Sequence, residues 1–390
     1  MTEDKKGSSN NPLTRRRLLV SSAAAIGAVG LGYYIYDRSS DTPESESLII
    51  PRSVSELAGK EFISSYGEWK AMYLVTDFES RINKIEHTIG MRDSSSEVTG
   101  YGMIFAVHAK DRETFDKIWN FAKSHLNEDG LMQFHIGADN KPINKSSAAD
   151  ADLDIAYALY AADKTWGRYE EDAKSMMNRI LGHDVEEGTF VLKGGNDWGG
   201  SDETNPSYYS PFYYALFEKY TGDERWGKVA RAGREVLDNI EENGNNGTDL
   251  PPNWSKADGT PNESRDDATH YSHEAIRVPL RQGMLALYGC EDPHAINSAV
   301  GQLEDVNDFV KTIDPGDIPE GFDENGEPIN EWNNNPAFAG TFAIASLVGD
   351  NPELTLALVE NTIDWRSKDW VTNEGVRNFS LLVLSGKMIH

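Results

Sequence analysis

The sequence predicts an all-α protein of many medium-length helices, and three observations point that way. Apolar residues recur at steps of three and four along most of the chain, strand-like alternation is scarce, and the joining segments are rich in Gly, Asn and Pro. Helices of this kind pack as hairpins in a bundle, a solenoid or a closed toroid. No period of about 34 or 40 residues with recurring signature positions is present, which argues against the solenoid. A chain of 390 residues is long enough for one helical barrel.

In chain order, the first segment reads as an address. Thr14-Arg15-Arg16-Arg17-Leu18-Leu19 places paired arginines directly before an uncharged run, 18–36, which is the layout of a twin-arginine export signal. The run has about the length of a bilayer span, and no small-x-small cleavage site follows it. Residues 1–36 are therefore expected to be a signal or a retained membrane anchor, leaving the protein extracellular or held at the outer face of the cell membrane. Residues 37–50 follow as a polar, Ser-rich linker, and 51–390 as the folded domain.

Within that domain, Phe115, Ile118, Trp119 and Ala122 form the apolar stripe of a helix over 112–126. Similar periodicity predicts helices over 153–166, 170–181, 209–220, 224–240, 273–288, 294–311, 337–348, 352–364 and 376–388. The segment 241–270 breaks the pattern. It is long, polar and centred on Trp254, the kind of loop that usually carries function or is disordered. It also holds three Asn-x-Ser/Thr triplets, at Asn246, Asn253 and Asn262, a pattern common by chance in Asn-rich loops.

Charge restricts the partners. Against 37 basic residues stand 64 acidic ones, a net charge of -27, which excludes nucleic acid as a partner. So large a carboxylate surplus suits a protein that works in strong salt. The single cysteine, Cys290, precludes an internal disulfide. A monomer is expected.

Metal and cofactor chemistry find no support. His270, His273 and Glu274 lie close together, but Arg277 occupies the place where an H-E-x-x-H helix needs its second ligand. Gly194-Gly195-Asn-Asp-Trp-Gly199-Gly200 lacks the spacing and Lys of a phosphate loop, and no G-x-S-x-G elbow is present.

Carboxylate chemistry remains. Asp150-Ala-Asp152-Leu-Asp154 sits at the entrance of an apolar helix, where the helix N-terminus stabilises negative charge. Glu97 precedes Gly100-Tyr101-Gly102-Met103, where two glycines would let backbone approach a ligand. The pattern alone leaves Glu97 open between a surface carboxylate and a general acid whose pKa is raised by burial. Trp198, Tyr208, Tyr209, Trp254, Tyr271 and Trp332 are flanked by Asn, Asp and Gly. Rings beside short polar side chains are what a sugar-binding cleft uses. Tyr213 and Tyr214, inside an apolar stretch, read as core.

These residues fall into an order that resembles glycoside hydrolase family 8. Ser96-Glu97 with Gly100-Tyr101-Gly102-Met103 is similar to the family's S-E-G-x-G-Y-G-M segment, and Asp150-Ala-Asp152 through Trp166 is similar to its signature. Gly195 to Trp198, Asn205-Pro-Ser-Tyr-Tyr-Ser-Pro211, Leu250-Pro-Pro-Asn-Trp254 and Arg277-x-Pro279-x-Arg281 follow in family order, so the likeness covers about 60–390.

The resemblance implies an (α/α)6 barrel of six inner and six outer helices, and inverting endo-hydrolysis of a β-1,4-linked glycan. A β-linked polysaccharide or oligosaccharide is the implied partner, with β-glucan first and xylan or chitosan as alternatives. Glu97 matches the general acid, Asp150 an active-site carboxylate at the cleavage point, and Arg277 an arginine beside the base. Tyr101, Asp152, Trp198, Tyr208, Trp254 and Tyr271 join Arg277 as candidate substrate contacts.

The chain also departs from the pattern. Glu274 stands where many members have an Asp base, Ala149 replaces Ser or Thr, and Val98-Thr99 follows the acid. Glu263, Asp266 and Asp267 are rival bases from the long loop. A glycan-binding protein with impaired catalysis is the alternative that the altered base position admits.

Overall fold

The computed structural model describes residues 48–75, 81–82, 93–243, 248–289, 292–331, 334–366 and 370–390, all within one compact unit, Thr42–His390. The expected export signal, most of the linker, Asn246, Cys290 and Trp332 lie outside the described residues. Among the described residues, no helix is long and apolar enough to cross a membrane.

Among the described residues, twelve helices follow one another: α1 Arg52–Tyr73, α2 Ser96–His108, α3 Arg112–Ser124, α4 Ala149–Trp166, α5 Glu170–His183, α6 Pro211–Thr221, α7 Arg225–Asn243, α8 Arg277–Tyr288, α9 Pro293–Val310, α10 Pro336–Ala345, α11 Pro352–Asp364 and α12 Val371–Leu384. Local sequence sets many of their ends. Asp292-Pro293, Asn335-Pro336 and Asn351-Pro352 each pair a capping carboxylate or amide with a proline at the first helical position. The side chains accept from the backbone N–H of His294, Ala337 and Leu354 at 3.0, 2.9 and 3.1 Å. Gly222, left-handed at φ 73°, ends α6.

Composition decides which helices are central. In α2, α4, α8, α10 and α12 nearly every position is buried, polar and charged ones such as Asp154, Arg281 and Arg377 included, so these helices are enclosed on all sides. In α3, α5, α7 and α9 only one stripe is buried. The even-numbered helices form the inner ring and the odd-numbered ones wrap it, with α6 the least enclosed of the inner set. The architecture is the (α/α)6 barrel. Short strands decorate one end: β1 Leu74–Val75 pairs antiparallel with β2 Arg81–Ile82. Strands β3 Ser94–Ser95, β4 His135–Ile136 and β5 Pro142–Asn144 form an antiparallel sheet in that order.

Two helices, α1 and α2, have no counterpart in the periodicity of the sequence, and Gly100 was expected to let backbone approach a ligand. Gly100 instead lies inside α2 against α4, where an added Cβ would stand 3.0 Å from the Asp154 Cβ and 3.4 Å from the Ala151 carbonyl oxygen. The starts of α4, α8 and α12 also differ from the expected ones, at 149, 277 and 371. The shift at α8 has a visible cause. The backbone N–H groups of Ser272 and Ala275 both donate to the Asn253 side chain, at 3.1 Å each, so residues 272–276 are held as a turn and α8 starts after them.

The long segment 241–270 is folded against the barrel where it is described. Its Asn253 and Asn262 are buried, so these triplets are closed to modification in the folded chain.

Candidate active site

Glu97 and Asp150 are the second residues of α2 and α4, and Arg277 is the first of α8. Helices that start at the same end of the inner ring bring these side chains together. The Arg277 guanidinium joins them. Its Nη1 donates to Glu97 Oε1 at 3.1 Å and to Asp150 Oδ2 at 2.5 Å, while Nη2 donates to Glu274 Oε2. Because one planar fork bridges both, the bonded oxygens of Glu97 and Glu274 stand at most roughly 8 Å apart.

Exposure separates the three acids. The Asp150 side chain is 2% exposed, Glu97 14% and Glu274 31%, so the two glutamates reach solvent and the aspartate lies behind them. Asp150 Oδ1 accepts the Ala151 N–H at 2.8 Å, leaving both of its oxygens occupied by the chain. Burial pushes its carboxyl up to about 7 against the pull of Arg277, and the neighbouring Glu97 and Glu274 charges add to the rise. Glu274 sits in the turn before α8 and is steadied a second time, by Asn205 Nδ2 donating to Oε2 at 2.8 Å.

The candidate rings divide into two sets. Tyr208 lies under the Arg277 guanidinium at 5.4 Å, Trp254 stands edge-on to Tyr208 at 6.2 Å, and Trp198 follows at 5.9 Å from Trp254. Trp198 is half-buried, whereas Tyr208 and Trp254 are buried. Arg265 covers Trp254 at 3.6 Å and pairs with Glu203, tying the long loop to this wall. Tyr101 and Tyr271 are each 1% exposed, too enclosed to offer a ring face to a sugar. Tyr101 lies against Gly375 and Phe379 beneath the acids, and Tyr271 stacks on Phe342 at 5.7 Å. Asp152 is fully buried, with Oδ1 accepting the Met132 N–H at 3.0 Å.

Of the rival bases, Glu263, Asp266 and Asp267 are exposed on the loop, and it is Glu274 that meets Arg277. Sequence reasoning missed Asn205 and Asn253. Each stands in a segment that carries the family likeness, and a fully buried Asn next to Pro or Trp is the signal that could have found them. The sequence offered His273 only as a failed metal ligand. Its ring packs on Trp370 at 4.4 Å and lies 3.7 Å from Glu320, forming a polar wall beside Glu274. A cavity of about 1290 Å³ lies elsewhere, between α4, α6, α7 and α8, and includes none of these acids.

Residues 48–303 match the family described as Glycosyl hydrolases family 8. Endoglucanase A of Acetivibrio thermocellus is 31% identical over 336 residues, covering 83% of this chain and 68% of that protein. Endoglucanase 2 of Ruminiclostridium josui is 32% identical over 296 residues, 73% of this chain, and there the chain spans only 62% of the relative's length. A reducing-end xylose-releasing exo-oligoxylanase of Paenibacillus barcinonensis is 27% identical over 291 residues, covering 68% of this chain and 73% of that protein. Among solved structures, the apo β-1,3-1,4-glucanase from Paenibacillus sp. X4 shares the fold, with a TM-score of 0.78 at 23% identity over 87% of this chain and 95% of the other. The barrel, the acids gathered at the inner-helix N-termini and these likenesses place the chain in glycoside hydrolase family 8, as a glycoside hydrolase on an (α/α)6 barrel.

Proposed function

We propose that this protein is an inverting endo-β-1,4-glycanase whose first substrate is β-1,4-glucan, with Glu97 as general acid and Glu274 as general base. The observation that carries the reading is the single guanidinium of Arg277 holding Glu97, Asp150 and Glu274 from three different segments. An inverting pair needs its carboxyl groups about 6.5–9.5 Å apart, with room for a water between them. Glu274 Oε2 is held by Arg277 and Asn205, which leaves Oε1 to take a proton from the attacking water. Glu97 gives its proton to the departing glycosidic oxygen. Asp150, enclosed behind them, fixes Arg277 between the two.

The row Tyr208, Trp254 and Trp198 supports a glycan lying along one wall, with the half-buried Trp198 as the ring able to meet sugar C–H groups. Glucan is favoured because the two relatives described above at over 30% identity are endoglucanases by name. Glu97→Gln is expected to lower kcat on β-glucan by about 10²- to 10⁴-fold while oligosaccharide binding persists. Proton NMR of fresh products should show the α-anomer first. A variant of normal rate, or β-anomer appearing first, would sink the assignment. Release of reducing ends from xylan or chitosan in preference to glucan would move the substrate within the family. Binding without any cleavage would favour the glycan-binding alternative.

The run of arginines at 15–17 supports export by the twin-arginine route, and N-terminal sequencing of the mature protein separates a removed signal from an anchor.

A further inference from the structure

A second pair of acids lies behind the site. Asp152 in α4 and Asp184, the residue that closes α5, are both completely buried and lie within hydrogen-bond reach of each other. Each has one oxygen satisfied by the chain: Asp152 Oδ1 by the Met132 N–H at 3.0 Å, Asp184 Oδ1 by the Ser147 hydroxyl at 2.9 Å. The other oxygen of each, Oδ2, is enclosed and accepts no hydrogen bond from a neutral donor among the described residues. Two ionised carboxylates cannot rest in contact in a dry interior, whereas one proton between them turns repulsion into a strong hydrogen bond.

The pair sits at a junction. Ser147, which donates to Asp184, accepts the Asn196 N–H at 2.9 Å and offers its carbonyl oxygen to Trp198 Nε1 at 3.2 Å. The Ala149 N–H, at the start of α4, donates to Gly194 in the same loop at 3.0 Å. We propose that Asp152 and Asp184 share a single proton, and that this acid–carboxylate pair is a positioning device holding the Trp198 loop against the N-terminus of α4, from which Asp150 projects.

The surroundings say which partner carries the proton. The Ser147 hydroxyl favours the charge of both carboxyls; Asp184 has in addition the nearby Lys193 ammonium, opposed by Asp129, whereas Asp152 has the Asp150 carboxyl as its other charged neighbour. His183 is taken up by Asp129, at 3.4 Å. Asp152 is therefore the acid, donating from Oδ2 to Asp184 Oδ2. On alkaline titration the proton leaves for solvent, and the two carboxylates then repel across the junction.

Infrared spectroscopy of the folded protein tests this without any activity. In infrared difference spectra near neutral pH, Asp184→Asn and Asp152→Asn should each lose the same single buried carboxyl stretch of the wild type, over and above the Asp150 and Glu97 carboxyls that all three proteins share, because an amide N–H then replaces the shared proton. Survival of that band in either variant, or its absence from the wild type, overturns the proposal.

A melting series gives the second readout. Burial raises both carboxyls of the pair above their ordinary values, so the shared proton favours the folded state most at low pH, and that contribution is lost as pH climbs through the raised range. The wild-type Tm should therefore fall relative to Asp184→Asn from about pH 4 to about pH 8, while Asp150 is common to both proteins. Parallel curves would refute it. Asp184→Ala should raise KM for the glycan several-fold, and Asp184→Asn should restore it; equal KM values in the two variants would remove the positioning role. If no glycan is cleaved at all, the proposed function fails and the infrared result still stands by itself.

Discussion

Arg277 is 3% exposed, and a buried cation is tolerated only because three carboxylates answer it. Its neighbours Asn205 and Glu274 offer a direct test of the base. Asn205 Oδ1 accepts the Ser207 N–H and hydroxyl while its amide donates to Glu274. In Asn205→Asp the backbone contact survives, but a carboxylate replaces the donor facing Glu274. Like charge raises the pKa of a base, so the acidic limb of the kcat/KM profile should move to higher pH. An unmoved limb would show that Glu274 is not the base. Glu97, Asp150 and Arg277 could be picked from the sequence because each stands in a dense local motif. Asn205 and Asn253 could not, since an Asn fixed inside a turn and an Asn on a surface loop look the same until the fold encloses one of them. Tyr101, Tyr271 and Asp152 show the converse: their polar or glycine-rich neighbours suggested a cleft, and helix packing sealed them.

Between helices, the tier below Arg277 repeats its chemistry. One turn further along α4 and α8, Arg281 grips Asp154 with two bonds of 2.6 and 2.8 Å, and the Tyr213 hydroxyl donates to the same carboxylate at 2.9 Å. Breaking such a pair strands a buried charge, so Arg281→Ala should cost about 3–5 kcal/mol. The double replacement Asp154→Leu/Arg281→Met should recover most of that loss in urea unfolding. If the double variant is as unstable as the single one, the pair is not the cause. Gly100 sets two effects against each other. Alanine in a helix gains about 1 kcal/mol over glycine, but overpacking costs about 1–3 kcal/mol. The added methyl would press on Asp154, which cannot yield while Arg281 holds it, so Gly100→Ala should lower the Tm. A raised Tm would mean that α2 and α4 are free to separate. The outer helices were legible as amphipathic stripes. Helix α2 was not, because a helix buried on all sides has no stripe and its glycines mimic a loop; α1, with its mixed faces, gave a weak signal for the opposite reason.

Across the whole molecule, charge is the property that stands out. At -27 the surface repels itself in dilute buffer, and the Debye length falls from roughly 10 Å at 0.1 M salt to roughly 3 Å at 1 M. We propose adaptation to strong salt, and expect the Tm to rise as NaCl goes from about 0.1 M to about 2 M, with potassium chloride acting alike. A flat or falling Tm would leave the acidity without this role. The sequence by itself determined that the chain is helical and strongly acidic, and it set Glu97, Asp150 and Arg277 in ordered motifs that resemble one family. Those properties are local or additive, and survive being read one segment at a time. Only the tertiary structure decided that Glu274, not a loop carboxylate, meets the guanidinium, that some candidate rings are core, and that Asp152 faces Asp184. These facts depend on which helix faces close on one another, and pairings between residues tens or hundreds of positions apart leave no periodic trace in the chain.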